Sequence, residues 1–251
     1  MSSREDPMDA SPQVLARIGG ALYLIMIVLG MLGELFVRGR IVVWGDATAT
    51  AANLRSMESL WRFGITSELF QGICAVVLAL IIYVVTRPVS KDLALLAAFF
   101  NLIAIAVESA YSLQLVEALF PLGSAAYLKA FSPEQLNAMA YLSLKTHVYG
   151  FGIALLLFGP FFLVTGYLIF KSGYFPKAIG ILYLLPGVSY LINGFGLILA
   201  PAYADRIFTI IAGPAFVGEA SFCLWLLVKG VNMENWNRRQ VHSALEVQSD
   251  Q

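Results

Sequence analysis

From Val148 to Phe170 the chain runs for about 23 residues without a charged side chain, and at about 1.5 Å per helical residue this is enough to cross a hydrocarbon core about 30 Å thick. No other stretch constrains the fold as strongly. Its start is legible as well. Ser132 is a good N-cap, Pro133 suits the first helical position, and Gln135 sits where a capping box puts its glutamine. The helix therefore begins near Pro133, and residues 133–147 extend it along the membrane surface, with Lys145 able to snorkel. Gly152, Gly159 and Gly166 are spaced by heptads and share one face, which lets a neighbouring helix come close. Pro160 is tolerable where neighbours or water satisfy the freed carbonyl, and it marks a kink.

Five further apolar runs have the same character. They predict an all-α, polytopic transmembrane bundle with six spans, at about 14–37, 61–86, 91–119, 133–170, 176–199 and 205–229. Charged residues make up only 13% of the chain, its mean hydropathy is +0.77, and a soluble domain carries roughly 25% charged residues. Acids and bases balance at 16 each, which leaves no basic footprint for nucleic acid and makes the lipid bilayer the expected partner. Cys74 and Cys223 both fall in apolar runs and read as small buried hydrophobes.

The connections are short and well punctuated. Residues 1–12 read as a disordered polar tail and residues 232–251 as a polar C-terminal tail, with Trp236, Arg238 and Arg239 as interface anchors. Ala47, Thr48 and Ala49 resemble a cleavage site, but they lie beyond Glu34, Arg38 and Arg40, so the first run reads as an uncleaved span. Asp46 is placed to cap a short surface helix in the first loop. Pro88 stops the second helix, Gly173 the fourth, and Pro176 starts the fifth. Six spans put both termini on one side. Loops 2 and 4 are very short and both basic, so the local density of lysine and arginine predicts cytoplasmic termini.

Several segments resemble a known family. GELFVRGR (33–40), WRFGI (61–65), HVYGFG (147–152), GYLIFKSGYFPKAIGIL (166–182) and FVGEASFCLWLLVKGV (216–231) are similar to a bacterial integral-membrane family catalogued as domain of unknown function 4386. The likeness covers about residues 17–231. Glu34, Arg38, His147, Gly150, Gly173, Pro176, Glu219 and Trp225 match its pattern, and Glu68 falls where either acid is expected. Glu108 is not assigned by the resemblance, and its role rests on this sequence alone. The resemblance implies a multi-pass protein of the bacterial inner membrane and supplies no reaction.

Ionisable groups inside spans cost on the order of 2.5–3.5 kcal/mol each on insertion scales, so each is a site candidate. Glu34 precedes Arg38 by four residues, the favourable order for an ion pair that finishes a helix. Glu68 shares a face with Gln71. Asn101, Glu108, Tyr111 and Ser112 form one stripe on the third helix, and Glu108 has no base within a turn. His147 is followed along its face by Gly150 and Ala154. The fifth helix carries Gly180, Gly187 and Gly194 at heptad spacing, which predicts close packing on the fourth, and Asn193 near its end. Glu219 lies near the middle of the sixth. Each of these also has a structural reading as a hydrogen-bonded group that holds helices together.

Depth adds a pattern. Helices alternate in direction, so Glu34, Glu68, Glu108, His147 and Asn193 all fall in the half of the membrane next to loops 1, 3 and 5. This predicts one polar cavity there, lined by Glu68, Glu108 and His147, with Glu219 at its floor and at least one acid protonated or wet. Three functions fit. In the preferred one the cavity binds or transports a small molecule, a cation or a proton. In the second the protein is a structural or stress-related membrane module. In the third it is an intramembrane enzyme with His147 as base beside a carboxylate. No glycine-rich phosphate loop, GxSxG, HExxH or CxxC is present, nor the Glu-x-x-His pairs of di-iron bundles, so neither a metal nor a cofactor is expected. Internal repetition is not evident, and oligomeric state stays open.

Overall fold

A computed structural model describes residues 11–249, so nearly all of the expected N-terminal tail lies outside the described residues. Every regular element among them is helical. Six helices are long and apolar enough to cross a membrane: span 1 (Pro12–Ile41), span 2 (Glu58–Thr86), span 3 (Lys91–Leu122), span 4 (Pro133–Ser172), span 5 (Lys177–Leu199) and span 6 (Arg206–Val228). Their outward faces are as greasy as their inward ones. Ile73 is 66% exposed and Ile210 65% exposed, which suits a hydrocarbon solvent and not water. The chain is a multi-pass membrane protein.

Local chemistry sets the helix ends. The Ser11 hydroxyl accepts from the Val14 N–H, and Ser90 does the same for Leu93. Ser132 and Gln135 form a reciprocal capping box. Asp46 accepts from the Ala49 N–H and opens a surface helix, Ala47–Ser56. Gly173 ends span 4 with φ +76°, a left-handed conformation that favours glycine.

Three elements differ from the sequence reading. Span 1 continues to Ile41 through a π-helical segment, Gly33–Arg38. Span 3 breaks at Ser112 and goes on as Leu113–Glu117 and a 3₁₀ turn, Phe120–Leu122. The expected polar C-terminal tail contains a helix, Met233–Ser249. It forms because Trp236 supplies one buried anchor, with its ring centroid 5.0 Å from that of Tyr174, and because Asn232 accepts from the Asn235 N–H at the helix start.

Each span packs on its neighbours in sequence, and span 6 packs back on span 1, so the bundle is a closed ring. Spans 4 and 5 meet backbone to backbone. A Cβ on Gly180 would lie 2.9 Å from the Gly166 carbonyl oxygen, one on Gly187 3.0 Å from that of Gly159, and one on Gly194 2.7 Å from that of Gly152. The main core gathers Tyr23, Phe161, Phe162, Tyr183, Phe222 and Leu226. A second, smaller core of Val37, Ile41, Leu54, Trp61, Leu115 and Leu144 closes the end next to loops 1 and 3.

Candidate functional site

Glu68, on span 2, is the hub of a polar cluster built by four spans. Arg38 Nη1 donates to its Oε2 at 2.7 Å. Ser112 Oγ donates to its Oε1 at 2.6 Å, and His147 Nε2 lies 3.3 Å from the same oxygen. Arg38 also donates through Nε to Glu34 Oε2 at 2.7 Å. The Glu68 side chain is only 12% exposed, whereas Glu34 is 58% exposed, so one guanidinium joins an inner carboxylate to an outer one.

The local folds make this meeting feasible. Glu34 and Arg38 are the second and last residues of the π segment, a rare form that is frequent at functional sites. Ser112 stands at the break in span 3, where the Glu108 carbonyl, 3.2 Å from its Oγ, is a second and longer acceptor for its one proton. Gly150, three residues beyond His147, has no Cβ because one would strike the Tyr111 ring. Spans 3 and 4 therefore approach closely enough for Ser112 and His147 to reach one carboxylate.

The small core roofs the cluster. Trp61 Nε1 donates to the Leu115 carbonyl at 2.9 Å. Arg38, Gly33, Val37, Trp61, Gly64 and Leu115 are among the residues around a cavity of about 10 Å³, roughly what a single water needs. Formal charge is unbalanced here: Glu34 and Glu68 carry two negative charges against one on Arg38. A protonated His147 would bring the sum to zero.

Glu219 belongs to a second cluster, made by spans 1, 5 and 6. Tyr23 donates to its Oε2 at 2.9 Å and Tyr190 to its Oε1. Tyr183 lies 3.4 Å from the Tyr23 hydroxyl. A Cβ on Gly218 would strike the Leu182 carbonyl and Pro186, so the missing side chain lets span 6 sink onto span 5 and carries Glu219 to Tyr190. None of these partners is a base.

The expected candidates thus fall into two bonded clusters and not around one cavity with Glu219 at its floor. The reason is rotational: Glu219 faces spans 1 and 5. Glu108 lies between the clusters, within electrostatic range of Arg38, Glu68 and Glu219, and its carboxylate has no hydrogen-bond partner among the described residues. Asn193 is buried on span 5 one turn from Tyr190 and is not part of the Glu68 cluster. A larger crevice, about 300 Å³, opens sideways between spans 2 and 3 and is lined by Leu69, Ile73, Val76, Leu102 and Ser109, among others. The partners that sequence reasoning passed over are Tyr23, Tyr183 and Tyr190. The available signal was three phenols in mid-span, each needing a partner in lipid.

The profile of the family described as "Domain of unknown function (DUF4386)" matches residues 18–230. The chain belongs to this family. The match includes every residue of both clusters. A similar protein, an uncharacterized protein of Archaeoglobus fulgidus, is 30% identical over 155 residues, covering 62% of this chain and 76% of that protein. No solved structure matches the DUF4386 chain.

Proposed function

We propose that this DUF4386 protein binds and moves protons within the membrane, with Glu68 and His147 as the loading site. The observation that carries this reading is the contact of His147 Nε2 with a carboxylate already held by Arg38 and Ser112; space for about one water adjoins Arg38. Of the small molecule, cation or proton expected from the sequence, a proton alone needs no cavity. Taking one up at His147 also balances the charge of Glu34, Arg38 and Glu68. Glu108 and the tyrosine-bound Glu219 continue the line of acceptors inward. The proposed setting is the bacterial inner membrane with both termini in the cytoplasm, supported by the short basic connections after spans 2 and 4.

The test is flux. The purified protein is placed in liposomes containing a pH-sensitive dye, and a potassium diffusion potential of either sign is imposed. Wild type should move protons faster than protein-free liposomes, and Glu68→Gln and His147→Gln should lose that excess while keeping the wild-type elution profile. Wild-type flux equal to that of empty liposomes overturns the proposal. The filled hydrogen bonds of Glu68 favour a second, structural reading. Under it the two variants would lower thermal stability and wild type would show no flux.

A further inference from the structure

The face opposite the Glu68 cluster, formed by loops 2 and 4 and the C-terminal helix, has a charge pattern of its own. Arg87 and Lys91 flank the turn after span 2, Lys171 and Lys177 the turn after span 4, and Lys229 and Arg239 follow span 6. None of these six makes an ion pair among the described residues. Arg238 is paired with Glu234 at 2.6 Å, but both side chains are more than 70% exposed, so that pair contributes little. Asp92, after the turn that follows span 2, and Glu246, on the C-terminal helix, are the other acids in these elements.

Tyr174 ties the three elements together. Its hydroxyl donates to the Val85 carbonyl at 2.8 Å, two residues before Arg87. Its carbonyl accepts from the Asn232 N–H at 3.2 Å, and its ring meets Trp236. Asn235 Nδ2 donates to the Gly173 carbonyl at 3.1 Å. Arg239 is three residues beyond Trp236, hence on the same helical face, and its guanidinium is within electrostatic range of the Tyr174 phenol. Its Nε is buried and has no hydrogen-bond partner among the described residues.

Arg239 as a whole is half-buried, so the remaining donors of its guanidinium are open to the surface, and a planar, permanently charged donor fork suits a phosphate. The Tyr174–Trp236 pair is the aromatic type found at headgroup depth. We infer that this face docks anionic phospholipid headgroups, with the lipid phosphate accepting from Arg239 and the turn residues Arg87, Lys91, Lys171 and Lys177 supplying the surrounding positive field. The partner is a lipid and not free phosphate, because the collar lies at the ends of the spans, where headgroups already are.

The experiment titrates the full chain, in a neutral detergent, with phosphatidylglycerol, phosphatidylcholine or inorganic phosphate. Melting temperature and retained lipid are read, the latter by native mass spectrometry. Phosphatidylglycerol should raise the melting temperature and stay bound, and the other two should do neither. Arg239→Gln and, separately, the exposed Arg87→Gln should each weaken phosphatidylglycerol binding about fivefold. Lys145→Gln, on the opposite face, should leave it unchanged. Equal effects of the two lipids overturn the inference. So does a shift reproduced by inorganic phosphate, or undiminished binding in both arginine variants.

Discussion

Arg38 serves two carboxylates at equal distance, and the two contacts should differ sharply in worth. Its bonds to Glu34 and Glu68 are both 2.7 Å long, so geometry alone does not separate them; solvent access does. Glu34 is 58% exposed and Glu68 12%. An exposed i,i+4 pair contributes about 0.3–0.5 kcal/mol, while breaking a fully buried pair costs about 3–5 kcal/mol. With Arg38 itself 27% exposed, the inner pair falls between these limits, at about 2 kcal/mol of coupling. Two double-mutant cycles measure this: Arg38→Gln with Glu68→Gln, and Arg38→Gln with Glu34→Gln, each followed by reversible unfolding in mixed micelles. Glutamine keeps the shape of a glutamate, and both cycles share the same Arg38→Gln arm, so the difference between them reports the two carboxylates. The inner cycle should give a coupling about four times the outer one. A Glu34 coupling as large as that of Glu68, or an inner coupling near zero, would refute the assignment of Glu68 as the hub.

Two further outcomes follow from packing and burial. Gly180→Ala would set a Cβ 2.5 Å from the Phe170 backbone nitrogen and 2.9 Å from the Gly166 carbonyl, neither of which can yield, so it should destabilise the protein by about 1–3 kcal/mol. Gly213→Ala meets nothing within 4 Å and should be neutral or mildly stabilising, so equal melting temperatures for the two would count against the seam. Burial pushes the Tyr174 phenol above its ordinary value. The folded state thus disfavours its ionisation, and this stabilisation is complete below the ordinary tyrosine pKa and is lost as pH rises toward the shifted one. Melting temperature should therefore fall more steeply with alkaline pH in wild type than in Tyr174→Phe, and parallel slopes would contradict it.

The caps and spans were legible because their causes are local. Ser132 with Gln135, and Asp46 with Ala49, act over three residues, and an uncharged run of sufficient length has one stable form in lipid. Depth was legible too, since it grows linearly along a helix, and it grouped Glu34, Glu68 and His147 on one level. Azimuth was not. Whether Glu219 turns toward Glu68 or toward Tyr23 depends on how Gly218 lets span 6 settle on Pro186, which is a property of two helices. The π segment at Gly33–Arg38 was equally hidden, because the Glu34–Arg38 spacing reads as an ordinary i,i+4 pair whether or not the turn is widened. The C-terminal helix was missed for a different reason: its docking rests on Trp236 and two asparagines, too little apolar surface to register as a packed element.

Space around the charges, more than the charges themselves, bears on what this bundle handles. Pockets that hold drug-sized ligands measure about 300–1,000 Å³ and combine apolar walls with a few convergent polar groups. The crevice between spans 2 and 3 has such a volume, but it opens sideways, and Ser109 is the one hydroxyl in a wall otherwise of leucine, isoleucine, valine, alanine and glycine. The Glu68 cluster has the opposite character: its polar groups converge, and the space beside Arg38 is about 10 Å³. Widening it would mean lifting Trp61 from the Leu115 carbonyl or Val37 from Gly64, where a Cβ would already lie 2.8 Å from the valine methyl. A dissolved molecule entering the space beside Arg38 would have to displace that roof. A proton needs only the single water for which there is room.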